Sequence, residues 1–271
     1  MNEGNYSLTD RIAEMKRKGF SGGFLKQIAA VTMLIDHITC CFMERVYIDG
    51  VPFFQTAQSW YYLDMAGRAI GRTAFPIFCF MITEGYVHTS NKIKYLGRLI
   101  VFGLISHYPF NWVFFPSSAN RHTGTMFTLA LGFLSIWVID TAASFFPMNK
   151  DERDRGTGSR WLNILINLVI SLPAVAAFCW ISEYIGSDYG YGGVMTVVIL
   201  YLLRENKDLQ GILGWAWLAF YNSFELYAIP GFFLNRCYNG SKGKQSKYFF
   251  YIFYPAHLLI LFLIRKKIFG Y

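Results

Sequence analysis

The stretch Phe24-Leu-Lys-Gln-Ile-Ala-Ala-Val-Thr-Met-Leu-Ile-Asp-His-Ile-Thr-Cys-Cys-Phe-Met43 decides the fold. It is mostly apolar and about twenty residues long, the length of helix that crosses the hydrocarbon core of a bilayer. Asp36 and His37 sit side by side in its middle. At 1.5 Å per residue, Lys26 lies roughly 16 Å along the helix from His37, close to half the hydrocarbon thickness. Ionisable groups at that depth are costly and are kept for a pathway, a relay or chemistry. The plainer alternative is a buried pair that only hydrogen-bonds to neighbouring helices. Single groups of that kind are common in bundles, whereas adjacent ones are not.

The rest of the chain agrees with a membrane setting. Of 271 residues, 54% are hydrophobic, 19% aromatic and 15% charged, against roughly 25% charged in a soluble domain. The expected fold is all-α, a polytopic integral membrane helical bundle. Continuous apolar stretches, rather than alternating ones, exclude an outer-membrane barrel. The net charge of +8 does not point to nucleic acid, because the basic residues lie between the apolar spans. They read as loop charges that set orientation and meet anionic lipid. The five cysteines form no spaced framework; Cys40, Cys41, Cys79 and Cys179 fall inside predicted spans and read as packing thiols. No zinc pattern is present, and no metal is expected. Residues 1–23 are polar and lack the apolar core of a cleaved signal. Within them, Asp10 to Phe20 reads as a basic helix on the membrane surface, so that 1–23 is a cytoplasmic amphipathic segment and 24–271 the membrane domain.

Apolar segments fall at about 24–43, 69–88, 95–115, 123–147, 161–185, 190–203, 209–222, 224–235 and 248–268. Eight or nine spans are expected. Several are short, and Pro76, Pro109, Pro173, Pro230 and Pro255 interrupt five of them. Broken helices at membrane depth are tolerated where they line a cavity, so a central chamber is expected. Arg11, Lys16, Arg17 and Lys18 put the N-terminus inside, in the inner (cytoplasmic) membrane. The loops at Lys92–Arg98 and Lys150–Arg160 follow inside, while those near 45–67, 116–122 and 186–191 belong outside. Past residue 203 the rule divides. If 209–235 is a hairpin, Arg236 to Lys247 is inside and Arg265, Lys266 and Lys267 are outside; if it is one span, the reverse holds.

Polar groups inside the spans are the candidate site residues. Arg68 and Arg72, four apart, share a helix face near the outer end of the second segment. They can snorkel to the interface, hold an anionic substrate, or stabilise charge developing on an oxygen. Glu84 lies near the inner end, where Arg98 is a plausible ion-pair partner. His107 and Asn111 share a face of the third segment. Asp188, in Ser187-Asp-Tyr-Gly-Tyr-Gly-Gly193, is placed to cap the helix that follows. Tyr254 and His257 flank Pro255, whose missing donor frees a carbonyl one turn earlier.

These residues together resemble the TraX family, membrane proteins associated with N-terminal acetylation of conjugative pilin. The matching stretches are Leu25-Lys-Gln-Ile-Ala-Ala-Val-Thr-Met-Leu-Ile-Asp36-His37, then Gly67-Arg-Ala-Ile-Gly-Arg72-Thr-Ala-Phe-Pro76 through Glu84-Gly85-Tyr86. Further ones are Lys94-Tyr-Leu-Gly-Arg98-Leu, Asp188-Tyr-Gly-Tyr-Gly-Gly193, Tyr238-Asn-Gly240 and Tyr248-Phe-Phe-Tyr-Ile-Phe-Tyr254-Pro-Ala-His257. The first span also resembles the opening helix of the wider transmembrane acyltransferases, among them membrane acyltransferase family 3 and the heparan glucosamine N-acetyltransferase. The resemblance implies a catalytic histidine at His37, served by Arg68 and Arg72, and acetyl groups taken from cytosolic acetyl-CoA.

The expected activity is therefore acetyl transfer from acetyl-CoA to an amine or hydroxyl. His37 would act as base, Asp36 would orient it or face another helix, and Arg72 with Arg68 or His107 would stabilise the oxyanion. Lys92, Lys94 and Arg98 are placed to meet the donor's phosphates. Arg68, His107, Asn111, Glu84, Asp188, Tyr254 and His257 are expected to bind substrate. Partners are the donor, an unidentified acceptor and the bilayer, with no nucleic acid; oligomeric state is left open. The alternative is a proton-coupled transporter or flippase, since midplane ionisable residues and broken helices also mark carriers.

Overall fold

The computed structural model describes residues 19–44, 58–115, 122–145, 157–244, 246 and 248–270. Most of the expected surface helix at Asp10 to Phe20, of the outer loops near 45–67 and 116–122, and of the Lys150–Arg160 loop lies outside them. All regular structure among the described residues is helical. In chain order the helices are α1 (Gly22–Ile38), continued by a π-helical turn Thr39–Glu44, α2 (Gln58–Gly71), α3 (Ala74–His88) and α4 (Lys92–Phe114). There follow α5 (Thr125–Phe145), α6 (Thr157–Tyr184), α7 (Gly190–Leu202), α8 (Lys207–Tyr221), a 3₁₀ turn Ser223–Ala228, α9 (Ile229–Arg236) and α10 (Phe249–Phe269).

Among the described residues, four helices are long and apolar enough to cross a membrane: Gly22–Met43, Thr125–Phe145, Leu165–Tyr184 and Phe249–Phe269. The second apolar segment is not one helix. It breaks between Gly71 and Ala74, which puts Pro76 third in α3, in a first turn where its missing N–H costs no helical hydrogen bond. Pro230 likewise opens α9. Pro109, Pro173 and Pro255, expected to interrupt spans, sit inside continuous helices. The 224–235 segment is no span either: α9 has eight residues, roughly 12 Å at 1.5 Å per residue.

The chain divides into two compact units. The first contains the described parts of 1–81 and 207–253, the second 82–206 and 254–271. In the first, α1 packs on α2, and α8 folds back on α9 as a hairpin. The hairpin's open ends are tied: Lys207 Nζ donates to the Tyr238 carbonyl at 2.7 Å, and Arg236 pairs with Asp208. Asn222 caps the connecting turn, its side-chain oxygen accepting from Phe224 N at 3.0 Å.

In the second unit, α5 is the hub, packed by α4, α6 and α7. A Cβ on its Gly132 would meet Val197 Cβ of α7 at 2.8 Å, so the absence of a side chain sets that close approach. Ends of helices are cross-tied here too. Asp140 accepts from Lys92 Nζ at 2.9 Å, Tyr86 Oη at 2.6 Å and Tyr201 Oη at 3.1 Å, joining α3, α4, α5 and α7.

Arg265, read as a loop charge, is instead 1% exposed. Its guanidinium donates to the Trp112 and Val113 carbonyls at 2.7 and 3.1 Å, at the C-terminus of α4. Those carbonyls have no partner within their own helix, and the negative end of the helix dipole favours a cation. Arg265→Met should therefore cost about 3 kcal/mol, from two buried acceptors left unmade. Unfolding in detergent measures this. Arg265→Lys should recover only part, because an ammonium cannot reproduce the fork. An unchanged midpoint for the Met variant would show that the bond pair adds nothing.

Candidate active site

Two glycines one helical turn apart on α2, Gly67 and Gly71, bring α1 against α2. A Cβ on Gly71 would run into the Asp36 side chain, and one on Gly67 into Thr39. Small residues at i and i+4 are how membrane helices approach closely. The residues next to those glycines, Arg68 and Arg72, thereby reach one carboxylate on α1. Arg68 Nη1 donates to Asp36 Oδ2 at 2.8 Å, and Arg72 Nη2 to Asp36 Oδ1 at 3.1 Å.

The break after α2 lets Arg72 reach in a second direction. Its other Nη donates to Glu225 Oε1 at 3.0 Å, on the 3₁₀ turn between α8 and α9. Packing at the break holds this turn in place. A Cβ on Gly231 would collide with the Thr73 carbonyl, and Asn235 Nδ2 donates to the Pro76 carbonyl at 3.0 Å. The Arg72 guanidinium also lies 5.7 Å from the Phe224 ring. Asp36 is 6% exposed and Glu225 1%. Two guanidiniums against two carboxylates make the network formally neutral, which is how buried charge is tolerated.

His37 is buried, at 8% exposure, immediately after Asp36. Neighbours on a helix point about 100° apart, so the carboxylate faces α2 and fixes arginines. Of the two expectations for Asp36, orienting the imidazole or facing another helix, the contacts agree with the second, and Arg68 and Arg72 bond Asp36 rather than snorkel to the interface. One residue past Ile38 the α-helix widens into the π turn, with Thr39 Oγ1 donating to the Ile35 carbonyl at 2.8 Å. Such turns are frequent at functional sites.

The other predicted residues belong to the second unit. Lys92 Nζ is held by Asp140 at 2.9 Å and by Tyr86 Oη at 2.5 Å. Lys94 is exposed, and the Arg98 guanidinium lies 5.3 Å from the Tyr95 ring. Glu84 has His88 Nδ1 at 3.8 Å. Asn111 is fully buried and donates to the carbonyls of His107 at 2.9 Å and His122 at 2.7 Å, pinning the end of α4 to the approach to α5. The His107 ring packs on Tyr108. Asp188 does not cap α7; its Oδ2 accepts from Thr125 Oγ1 at 2.6 Å, while Glu183 accepts from Tyr191 N at 2.8 Å. The turn before α7 uses Gly186 and Gly190 at φ +57° and +46°, where glycine is favoured. Tyr254 and His257 are buried with ring centroids 5.9 Å apart.

Helices of membrane-spanning length and a buried, neutral ion network beside a histidine define an integral membrane protein with a polar interior site. The family model described as TraX protein matches residues 21–265, and the chain belongs to the TraX family. It is also similar to a protein of Dichelobacter nodosus named probable fimbrial assembly protein FimC, serogroup H1. Identity there is 28% over 273 residues, covering 89% of this chain and 94% of that one. No solved structure matches.

Proposed function

We propose that this TraX-family protein is a membrane acetyltransferase that moves an acetyl group from cytosolic acetyl-CoA to an amine or hydroxyl acceptor. The observation that carries the reading is the buried His37 imidazole on α1, one residue from a carboxylate that holds two arginines. The likeness of the first span to wider transmembrane acyltransferases supports it. In this reading the protein lies in the inner membrane, with the N-terminus cytoplasmic. The fimbrial-assembly name of the Dichelobacter relative supports a surface-filament subunit as the acceptor.

His37 takes the proton of the acceptor N–H or O–H as its lone pair attacks the thioester carbonyl. The oxyanion of the tetrahedral intermediate is met by the positioned guanidiniums of Arg68 and Arg72. Collapse breaks the C–S bond, and coenzyme A leaves as thiolate, protonated by the imidazolium. An acetyl-imidazole on His37 is the two-step form of the same transfer.

The test is donor binding by the purified full-length protein. Coenzyme A and acetyl-CoA are expected to raise the unfolding midpoint by several degrees at saturation, as any ligand selective for the folded state does. No shift with either, together with a shift from a transported solute, would replace this reading with the carrier.

A further inference from the structure

A second segment of the first unit clasps the start of α1. Phe20 N donates to the Cys237 carbonyl at 2.9 Å, and Asn239 N donates back to the Phe20 carbonyl at 3.0 Å. Gly22 N and Gly23 N donate to the carbonyls of Ser241 and Lys242 at 2.8 and 2.9 Å. Asn239 Nδ2 adds the Gly19 carbonyl at 2.9 Å. Glycine is needed at both faces of the clasp. A Cβ on Gly23 would meet the Lys244 carbonyl at 2.6 Å, and Gly243 sits at φ +66° with its Cβ position on Ser21.

The clasp brings the backbone of Lys242 and Lys244 to the start of α1, where the Lys26 ammonium lies 5.9 Å from the Phe250 ring. Lys26 follows one turn up α1, half-buried, with Lys242 as an electrostatic neighbour. Lys244 is on the same clasped segment, and both loop side chains are exposed. Lys207 and Arg236, nearby in the hairpin, are already committed to Tyr238 and Asp208. The amides of Gly22 and Gly23 are spent on loop carbonyls, so the lysine side chains, not the helix terminus, are what an anion would meet. Loop lysines that only set orientation can spread apart in water. Here the backbone fixes where they start: Gly23 N donates to the Lys242 carbonyl at 2.9 Å and the Lys244 carbonyl lies against Gly23, three residues before Lys26.

We propose that Lys26, Lys242 and Lys244 form a binding site for clustered phosphate groups, those of the nucleotide end of the acetyl donor. This rests on the acetyltransferase reading above. Coenzyme A carries a 3′-phosphate and a diphosphate, a concentration of charge that needs several cations. From Lys26 the thiol-bearing arm would run along α1, where His37 lies roughly 16 Å away at 1.5 Å per residue. This site takes the phosphate role expected of Lys92, Lys94 and Arg98; of those three, the Lys92 ammonium is held by Asp140 at 2.9 Å.

The test uses full-length protein in zwitterionic detergent with Lys242→Gln/Lys244→Gln, and Lys26→Gln as an independent variant. The probes are coenzyme A, adenosine 3′,5′-bisphosphate and phosphatidylglycerol. The loop substitutions leave the carbonyls that build the clasp, and the exposed side chains are dispensable for folding. Wild type is expected to bind both nucleotides, and each variant to bind them at least about tenfold more weakly. Added salt should weaken the wild type more than the variants. Coenzyme A binding of equal strength in wild type and variants overturns the phosphate site but leaves the acetyl-donor reading standing. No binding by wild type removes both. A lysine-dependent response to phosphatidylglycerol, with none to the nucleotides, assigns the cluster to lipid and also overturns the proposal.

Discussion

His37→Ala should abolish acetyl transfer while the protein remains folded in detergent. Removing a general base lowers turnover by about a hundredfold to ten-thousandfold, and here the same group would also return its proton to the leaving thiolate. The imidazole is 8% exposed, so truncation leaves a cavity, and His37→Gln supplies a second variant of closer volume. Both should unfold within a few degrees of wild type, keep coenzyme A binding and lose product. Transfer at the wild-type rate in either variant would remove His37 from the chemistry. A pre-steady-state experiment without acceptor separates the two routes. Stoichiometric release of coenzyme A, with acetylated protein by mass spectrometry that is absent from His37→Gln, marks the acetyl-imidazole route. No release without acceptor marks direct transfer.

What the sequence disclosed, and what it hid, follows from the range of the interactions. Asp36 and His37 stood out because ionisable groups in an apolar run have few structural excuses. Arg68 and Arg72 stood out because their spacing is a helix period. Their convergence on Asp36 was hidden, since it depends on close approach at Gly67 and Gly71, although two glycines four apart in a membrane helix are a readable signal. Glu225 lies inside an otherwise apolar run, and its partner Arg72 is 153 positions away. Arg265 read as a loop charge because three basic residues at a span's end usually are one. Only the fold shows that the first of them turns inward onto Trp112 and Val113. The same holds for Asp140, whose partners Tyr86, Lys92 and Tyr201 come from three other helices. The split of the 69–88 segment was legible in principle from Pro76, read as a helix start rather than a break.

Asp36→Ala should destabilise the protein by about 3–5 kcal/mol, the cost of stripping one partner from a buried ion pair. The loss would leave Arg68 and Arg72 facing each other, with Glu225 the remaining carboxylate of the network. Asp36→Asn keeps the shape and the acceptor oxygen but not the charge, so it should recover only part of the loss. The decisive measurement is a double-mutant cycle with Arg68→Met, read by unfolding in detergent. If Asp36 holds the arginines, the double variant should be more stable than the sum of the singles by about 1–3 kcal/mol, because the second change removes a charge the first had orphaned. Additive effects would mean that the Arg68 contact contributes no net coupling. The cycle also separates two roles for Asp36 in catalysis. A carboxylate that orients the imidazole would lower turnover in Asp36→Asn even with Arg68 gone. A carboxylate that positions guanidiniums would make the Asn substitution nearly silent in the Arg68→Met background, once the remaining Arg72 is held by Glu225 at 3.0 Å.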